Sequence, residues 1–100
     1  MLEIKKESIF ALPQSVSIRS IRNEVFFLFD AEHGKQYDLT EMEYTLIDRL
    51  KKGHRYGDIL VEIQKTYDAD PDTILNDLEE YLETLVSHGL LLPCSKKTGE

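Results

Sequence analysis

The chain has 100 residues and a formal net charge of -7 at pH 7, with 41% hydrophobic and 31% charged residues. This composition is typical of a single globular domain with a modest core. The acidic excess argues against sequence-independent nucleic-acid binding, which requires Lys and Arg at the phosphates. No apolar run approaches the roughly 18 residues that a membrane-spanning helix requires.

The N-terminal segment, residues 1–13, is predicted to be an arm rather than a signal peptide. Charged residues interrupt its apolar positions, so a cytoplasmic location is expected. Ile9, Phe10 and Leu12 are able to dock on the domain, and Pro13 ends any regular element. The single cysteine, Cys94, cannot by itself form an internal disulfide or a metal site.

Two strands are predicted after the arm. The first is Val16–Arg19, which alternates in polarity, and the turn that follows contains Asn23, a residue that tolerates positive φ. The second, Val25–Phe29, is a continuous apolar run, which predicts cover on both faces of the sheet. Helices are expected on one face, and the arm or a second copy of the protein on the other.

A third strand is predicted over residues 35–39, where Tyr37 and Leu39 alternate with Gln36 and Asp38. The strand is short, its outward residues are polar, and a helix follows it rather than another strand. These features predict a sheet edge whose backbone N–H and C=O groups are available to a partner.

The first helix is predicted from Thr40 to Lys52. Thr40 and Glu43 have the spacing of a capping box, and Leu39 and Tyr44 that of a hydrophobic staple. The expected inward residues are Leu46, Ile47 and Leu50, with Gly53 at the C-terminal end.

Two further helices complete the predicted domain. The second covers residues 56–66 and has a poor cap at Arg55. The third is capped by Asp70, has Pro71 at its first position and ends at Gly89. Three strands followed by three helices predict an α+β domain of winged helix-turn-helix type over residues 14–92, with a flexible tail at 93–100.

The sequence contains no recognisable catalytic or metal-ligating motif. His33, His54 and His88 are placed in a turn and at two helix ends, at spacings that match no metal site. There is also no glycine-rich phosphate loop. We therefore expect a protein that is not an enzyme, with no cofactor and no metal.

Several motifs occur in an order and at spacings that resemble the PqqD-like family, also called the RiPP recognition element. They cover about residues 15 to 92. The matching segments are Tyr37-Asp38-Leu39-Thr40, Gly53-x-x-Tyr56-x-Asp58-Ile59, residues 67–72, Asp77-Leu78-x-x-Tyr81-Leu82-x-x-Leu85 and Gly89-Leu90-Leu91. Two departures are Arg55, where the family usually has a small hydroxyl residue, and Gly57, where it often has Glu.

The resemblance implies a non-catalytic peptide chaperone. Such proteins bind the leader segment of a ribosomally made precursor peptide as an extra strand beside the third strand, in a groove closed by the third helix. The partner is a maturation enzyme: a leader peptidase in lasso-peptide pathways, which we favour, or a radical enzyme in the pyrroloquinoline quinone pathway. Nucleic-acid and membrane partners are not expected, and the protein is expected to be a monomer or a weak dimer.

The predicted peptide-binding residues lie on the third strand and the third helix. The helix contributes apolar residues in excess of what one neighbour requires, together with acids one turn apart. The set is Gln36, Tyr37, Asp38, Leu39, Leu75, Glu79, Leu82, Glu83 and Val86. Two alternatives are a winged-helix DNA-binding protein, which the acidic third helix disfavours, and a small adaptor that dimerises through its sheet.

Overall fold

The computed structural model describes residues 4–94, which form five strands and three helices. The strands are β1 (Ile9–Ala11), β2 (Val16–Ile21), β3 (Val25–Asp30), β4 (Lys35–Leu39) and β5 (Leu92–Cys94), and the helices are α1 (Glu41–Lys51), α2 (Tyr56–Thr66) and α3 (Pro71–Ser87). Strands β2, β3 and β4 form an antiparallel sheet in that order, and β1 pairs with β5. The predicted α+β class, with a three-stranded sheet before three helices, is confirmed.

One face of the three-stranded sheet packs into the core and the other is open. Leu28 on β3 is fully buried, whereas Ile21 and Val25 are both 51% exposed and Phe29 is 36% exposed. The expectation that the arm covers this second face is wrong for the described residues. Because side chains alternate along a strand, the apolar run of β3 makes both faces of the strand apolar. It does not show that other elements cover both faces. Association of this face with a second copy stays a prediction.

The local signals at the helix starts are confirmed. The Thr40 hydroxyl accepts from the Glu43 N–H, and Glu43 accepts from the Thr40 N–H, which completes the capping box. The Asp70 carboxylate accepts from the Thr73 N–H at the start of α3. The junction between β4 and α1 is therefore fixed by residues that are close together in sequence.

The N-terminal arm is a part of the fold that the sequence did not predict in full. Its Phe10 is 2% exposed, and β1 pairs antiparallel with β5. Consequently Pro93 and Cys94 belong to a strand, and the predicted tail boundary at residue 93 is displaced; residues 95–100 lie outside the described residues. Local polarity could not reveal this pairing, because the two strands are more than 80 residues apart along the chain.

The arm also caps α2. Arg55, the N-cap residue, makes no side-chain cap hydrogen bond. Instead, the N–H of Tyr56 donates to the carbonyl of Ser8 at 2.8 Å, and the N–H of Gly57 donates to the carbonyl of Lys6 at 2.9 Å. The first amides of a helix have no partner within it, so the arm replaces the missing side-chain cap.

In the part of the chain that the structure describes, none of the helices combines the length and apolar character needed to cross a membrane.

Candidate functional site

Strand β4 is one of the two edges of the sheet, and its only strand neighbour among the described residues is β3. The pairing of β3 with β2 shows which backbone groups of β3 point towards β2 and which point towards β4. The N–H of Ala31 donates to the carbonyl of Ser15, just before β2, at 2.8 Å. Backbone N–H and C=O groups alternate in direction along a strand. Because those of Ala31 point towards β2, those of Asp30 and Leu28 point towards β4.

The same alternation identifies the free groups of β4. Lys35 and Tyr37 are the register partners of Asp30 and Leu28, so their backbone groups bond to β3. Gln36 and Asp38 therefore direct their N–H and C=O groups away from the sheet. Each of these two residues offers one donor and one acceptor to an added strand.

A cleft runs beside this edge, between β4 and α3. It contains a cavity of about 170 Å³ whose walls are mainly apolar. Its main lining residues are Leu28, Tyr37, Tyr81, Leu85, His88 and Leu90. The Nδ1–H of His88 donates to the carbonyl of Thr84 at 2.8 Å, which orients the ring in the cavity wall.

A second hollow of about 680 Å³ continues the cleft towards the start of α1. The two hollows share Glu43, Tyr81 and Thr84, so they form one continuous groove along α3. Burial of Tyr81, together with the nearby negative charge of Glu43, raises the pKa of the Tyr81 hydroxyl above its usual value. Tyr81 is therefore a neutral hydrogen-bond donor in the middle of the groove at physiological pH.

Of the four predicted strand residues, Tyr37 and Asp38 line this groove. Gln36 and Asp38 are exposed on the free edge, and Tyr37 is half-buried with its side chain in the apolar cavity. Leu39 is mostly buried, so its side chain belongs to the core. The peptide-binding role of these four residues stays a prediction.

The predicted residues of the third helix lie elsewhere. None of the five lines the groove, and the expectation that Leu82 does so is wrong because Leu82 is 0% exposed in the core. Leu75 and Val86 are half-buried against the core, Glu79 is half-buried and Glu83 is exposed. At roughly 100° per residue, Leu75, Leu82 and Val86 lie about 100–140° around the helix axis from Tyr81.

The helix residues that do face the cleft are Tyr81, Thr84, Leu85 and His88. Their spacing of three, four and seven residues is that of one side of an α-helix. This signal was present in the sequence. It does not identify the groove by itself, because the apolar stripe of α3 is wide and nothing local indicates which of its two borders is next to β4.

The turn after β3 brings together Asp30, Glu32 and His33, whose side-chain ligand atoms lie within 4.8 Å of one another. The Nδ1–H of His33 donates to Asp30 Oδ2 at 2.7 Å, and the N–H of Glu32 donates to Asp30 Oδ1 at 3.1 Å. The His33 hydrogen bond lowers the pKa of Asp30. These hydrogen bonds satisfy the buried carboxylate of Asp30, which stabilises the turn between β3 and β4.

Comparison with known proteins supports the assignment of the fold. Residues 26–91 match the PqqD family, described as coenzyme PQQ synthesis protein D. The chain belongs to the PqqD family. A search of curated proteins found no match.

Two solved structures share the fold of this PqqD-family chain. One is TbiB1 in complex with the TbiA(beta) leader peptide, with a TM-score of 0.71 and 21% identity over 90% of this chain and 99% of that one. The other is lasso peptide synthetase B1 complexed with the leader peptide, with a TM-score of 0.72 and 21% identity over 84% of this chain and 98% of that one.

Proposed function

We propose that this protein binds the leader segment of a ribosomally synthesised precursor peptide as an additional strand on β4. The observation that carries the proposal is the free backbone edge at Gln36 and Asp38 beside an apolar cleft. An extended peptide requires both features, since the edge supplies main-chain hydrogen bonds and the cleft accepts alternate side chains. Both structural neighbours contain a leader peptide, which supports the same ligand class here.

Apolar contacts supply most of the expected affinity. Gln36 and Asp38 together offer four backbone hydrogen bonds, each worth about 0.5–1.5 kcal/mol. Ordering a flexible peptide costs about 2–5 kcal/mol or more, which offsets most of that gain. Side chains that enter the cleft stabilise the complex by about 25 cal/mol per Å² of apolar area. Residues such as Tyr81 and Leu85 therefore determine which peptide binds.

The bound leader is proposed to be presented to a separate maturation enzyme, so the protein acts as a peptide chaperone without catalysis of its own. A lasso-peptide leader peptidase is the favoured partner, because one structural neighbour is a lasso peptide synthetase B1 protein. The radical enzyme of the pyrroloquinoline quinone pathway is the alternative, in keeping with the description of the family. A cytoplasmic location stays a prediction.

Isotope-labelled NMR with synthetic leader peptides from precursor genes beside this one tests the proposal. Chemical-shift changes are expected in residues 35–40 and on the side of α3 that carries Tyr81, Thr84 and His88. Changes confined to α2 or β2 would place the ligand elsewhere and refute the proposal.

Proline substitution at the free edge tests strand addition directly. Asp38→Pro removes a donor that faces away from the sheet, so the fold is expected to persist while leader affinity falls by about tenfold. Ser20→Pro is the matched control. Ser20 lies on β2, at the opposite edge of the sheet. Its register partner Phe26 directs its backbone groups towards β4, so the N–H of Ser20 also points away from the sheet. Equal losses in both variants, with both folded by circular dichroism, would argue against strand addition at β4.

A further inference from the structure

The larger hollow of the groove combines an apolar floor with an acidic rim. Met42, Tyr67, Leu78 and Tyr81 provide apolar surface, and carboxylates surround it. The rim consists of Glu41, Glu43, Asp77 and Glu80. Among the described residues, no Lys or Arg lines this hollow, so its four carboxylates make the local electrostatic potential negative.

Salt bridges between described residues leave the four rim charges unneutralised. Among the residues that the structure describes, none of these four acids forms a salt bridge. Glu43 caps the start of α1, yet its charge still acts on Tyr81, whose pKa it helps to raise. A Lys or Arg side chain matches both parts of this surface, because its aliphatic stem covers apolar area while its cation remains at the rim.

The position of the acidic hollow next to the apolar cavity predicts where in a bound peptide the Lys or Arg occurs. The apolar cavity and the acidic hollow meet at Glu43, Tyr81 and Thr84. In an extended peptide, residues i and i+2 point to the same face and lie roughly 6.6 Å apart. Because the two hollows adjoin, a strand with one side chain in the cavity is able to direct the next side chain on that face over the acidic hollow.

We propose that the acidic hollow selects a Lys or Arg placed two residues from the apolar residue that fills the cavity. The inference rests on the proposed function and narrows its ligand to a class: an extended peptide with an apolar and a basic residue on one face. The relevant acids are those of the rim and not Glu79 and Glu83, which lie outside the groove.

Selection from a library of random 12-residue peptides tests this specificity. Peptides retained by the immobilised full chain are expected to contain Lys or Arg two positions from a large apolar residue. They should contain few acidic residues at that position. Retained peptides that shift β4 amides in NMR spectra but lack this bias would overturn the inference and leave the proposed function intact. Retained peptides that leave β4 unaffected would contradict the proposed function itself.

Two isosteric double variants provide the matched measurement on one selected peptide that carries this basic residue. Asp77→Asn/Glu80→Gln removes two rim charges, and Glu79→Gln/Glu83→Gln removes two charges from elsewhere on the same helix. The rim variant is expected to weaken binding roughly three- to tenfold at low salt, and the other variant less than twofold. The rim effect should disappear when alanine replaces the basic residue of the peptide. Equal effects of the two variants would mean that only net charge matters and would overturn the inference.

Discussion

At the scale of single residues, Leu82 and Thr84 are two positions apart on α3, yet Leu82 packs in the core and Thr84 lines the groove. Leu82 is fully buried, so Leu82→Ala is expected to cost about 2–5 kcal/mol of stability and a charge there would disrupt the core. Thr84 is exposed and lines both hollows of the groove. Only the second position can report on binding separately from folding.

We predict that Thr84→Trp blocks the groove and lowers leader affinity at least tenfold while the fold is retained. The indole is much larger than the threonine side chain and would occupy the space between Tyr81 and β4. Isothermal titration calorimetry measures the affinity, and circular dichroism checks the fold. Asn76→Trp is the control, since Asn76 is also neutral and exposed on α3 but does not line the groove. A similar loss in both variants would contradict the assignment of the groove.

The Asp30–His33 hydrogen bond gives a pH-dependent prediction. The pKa of Asp30 is lowered from its ordinary value of 3.8, chiefly by this bond, so the folded state favours the ionised carboxylate. The stabilisation is therefore present above that ordinary value and is lost as pH falls through the lower folded value. Asp30→Asn should reduce the melting temperature at pH 7, and its difference from the native chain should shrink in the acid range. Glu32→Gln, which keeps the backbone N–H, should show neither effect.

At the scale of elements, the arm and α2 depend on each other. The arm carbonyls cap α2, and this contact requires close approach at Gly57. A Cβ at Gly57 would lie 2.8 Å from the Cβ of Lys6 and 3.0 Å from its carbonyl oxygen. The departure from the family pattern at this position therefore has a structural reason, since a side chain here would push the arm away.

We expect Gly57→Ala to displace the arm despite the higher helix propensity of alanine. That propensity favours alanine by roughly 0.5–1 kcal/mol, whereas the contact loses two capping hydrogen bonds of about 0.5–1.5 kcal/mol each. Hydrogen exchange should show faster exchange of the amides of Tyr56 and residue 57. Asp58→Ala, one residue later at an exposed position, should leave both protected. Unchanged protection in Gly57→Ala would show that the arm tolerates a side chain there.

At the scale of the whole molecule, the charge distribution separates this protein from DNA-binding domains of similar topology. The net charge is -7, and α3 carries no Lys or Arg, whereas a recognition helix requires side chains that bond to base edges and phosphates. An acidic helix beside DNA would repel the phosphates.

We therefore predict no retardation of random duplex DNA in a gel-shift experiment at low salt, where electrostatic attraction is strongest. Sub-micromolar binding under these conditions would contradict the prediction. The leader peptide of the NMR experiment serves as the positive control for active protein.

Residue types and their local spacing predicted the three-stranded sheet, the three helices and the family, but not β1 or β5. Capping at Thr40 and Asp70, the positive φ of Asn23 and the alternation in residues 35–39 depend on neighbours within a few positions. Such local interactions are encoded directly in residue type and spacing. The ordered motifs from Tyr37 to Leu91 likewise led to the PqqD family, which the match over residues 26–91 confirms.

The way in which these elements meet depends on contacts between distant parts of the chain. The orientation of α3 about its axis places Tyr81 and Thr84 beside β4, and Leu82 in the core. A wide apolar stripe predicts that α3 is buried, but its rotation about the helix axis depends on packing against the rest of the core. The pairing of β1 with β5 and the capping of α2 by the arm also join residues far apart in sequence. Long-range contacts of this kind leave no local pattern, which is why half of the groove could not be predicted from the sequence.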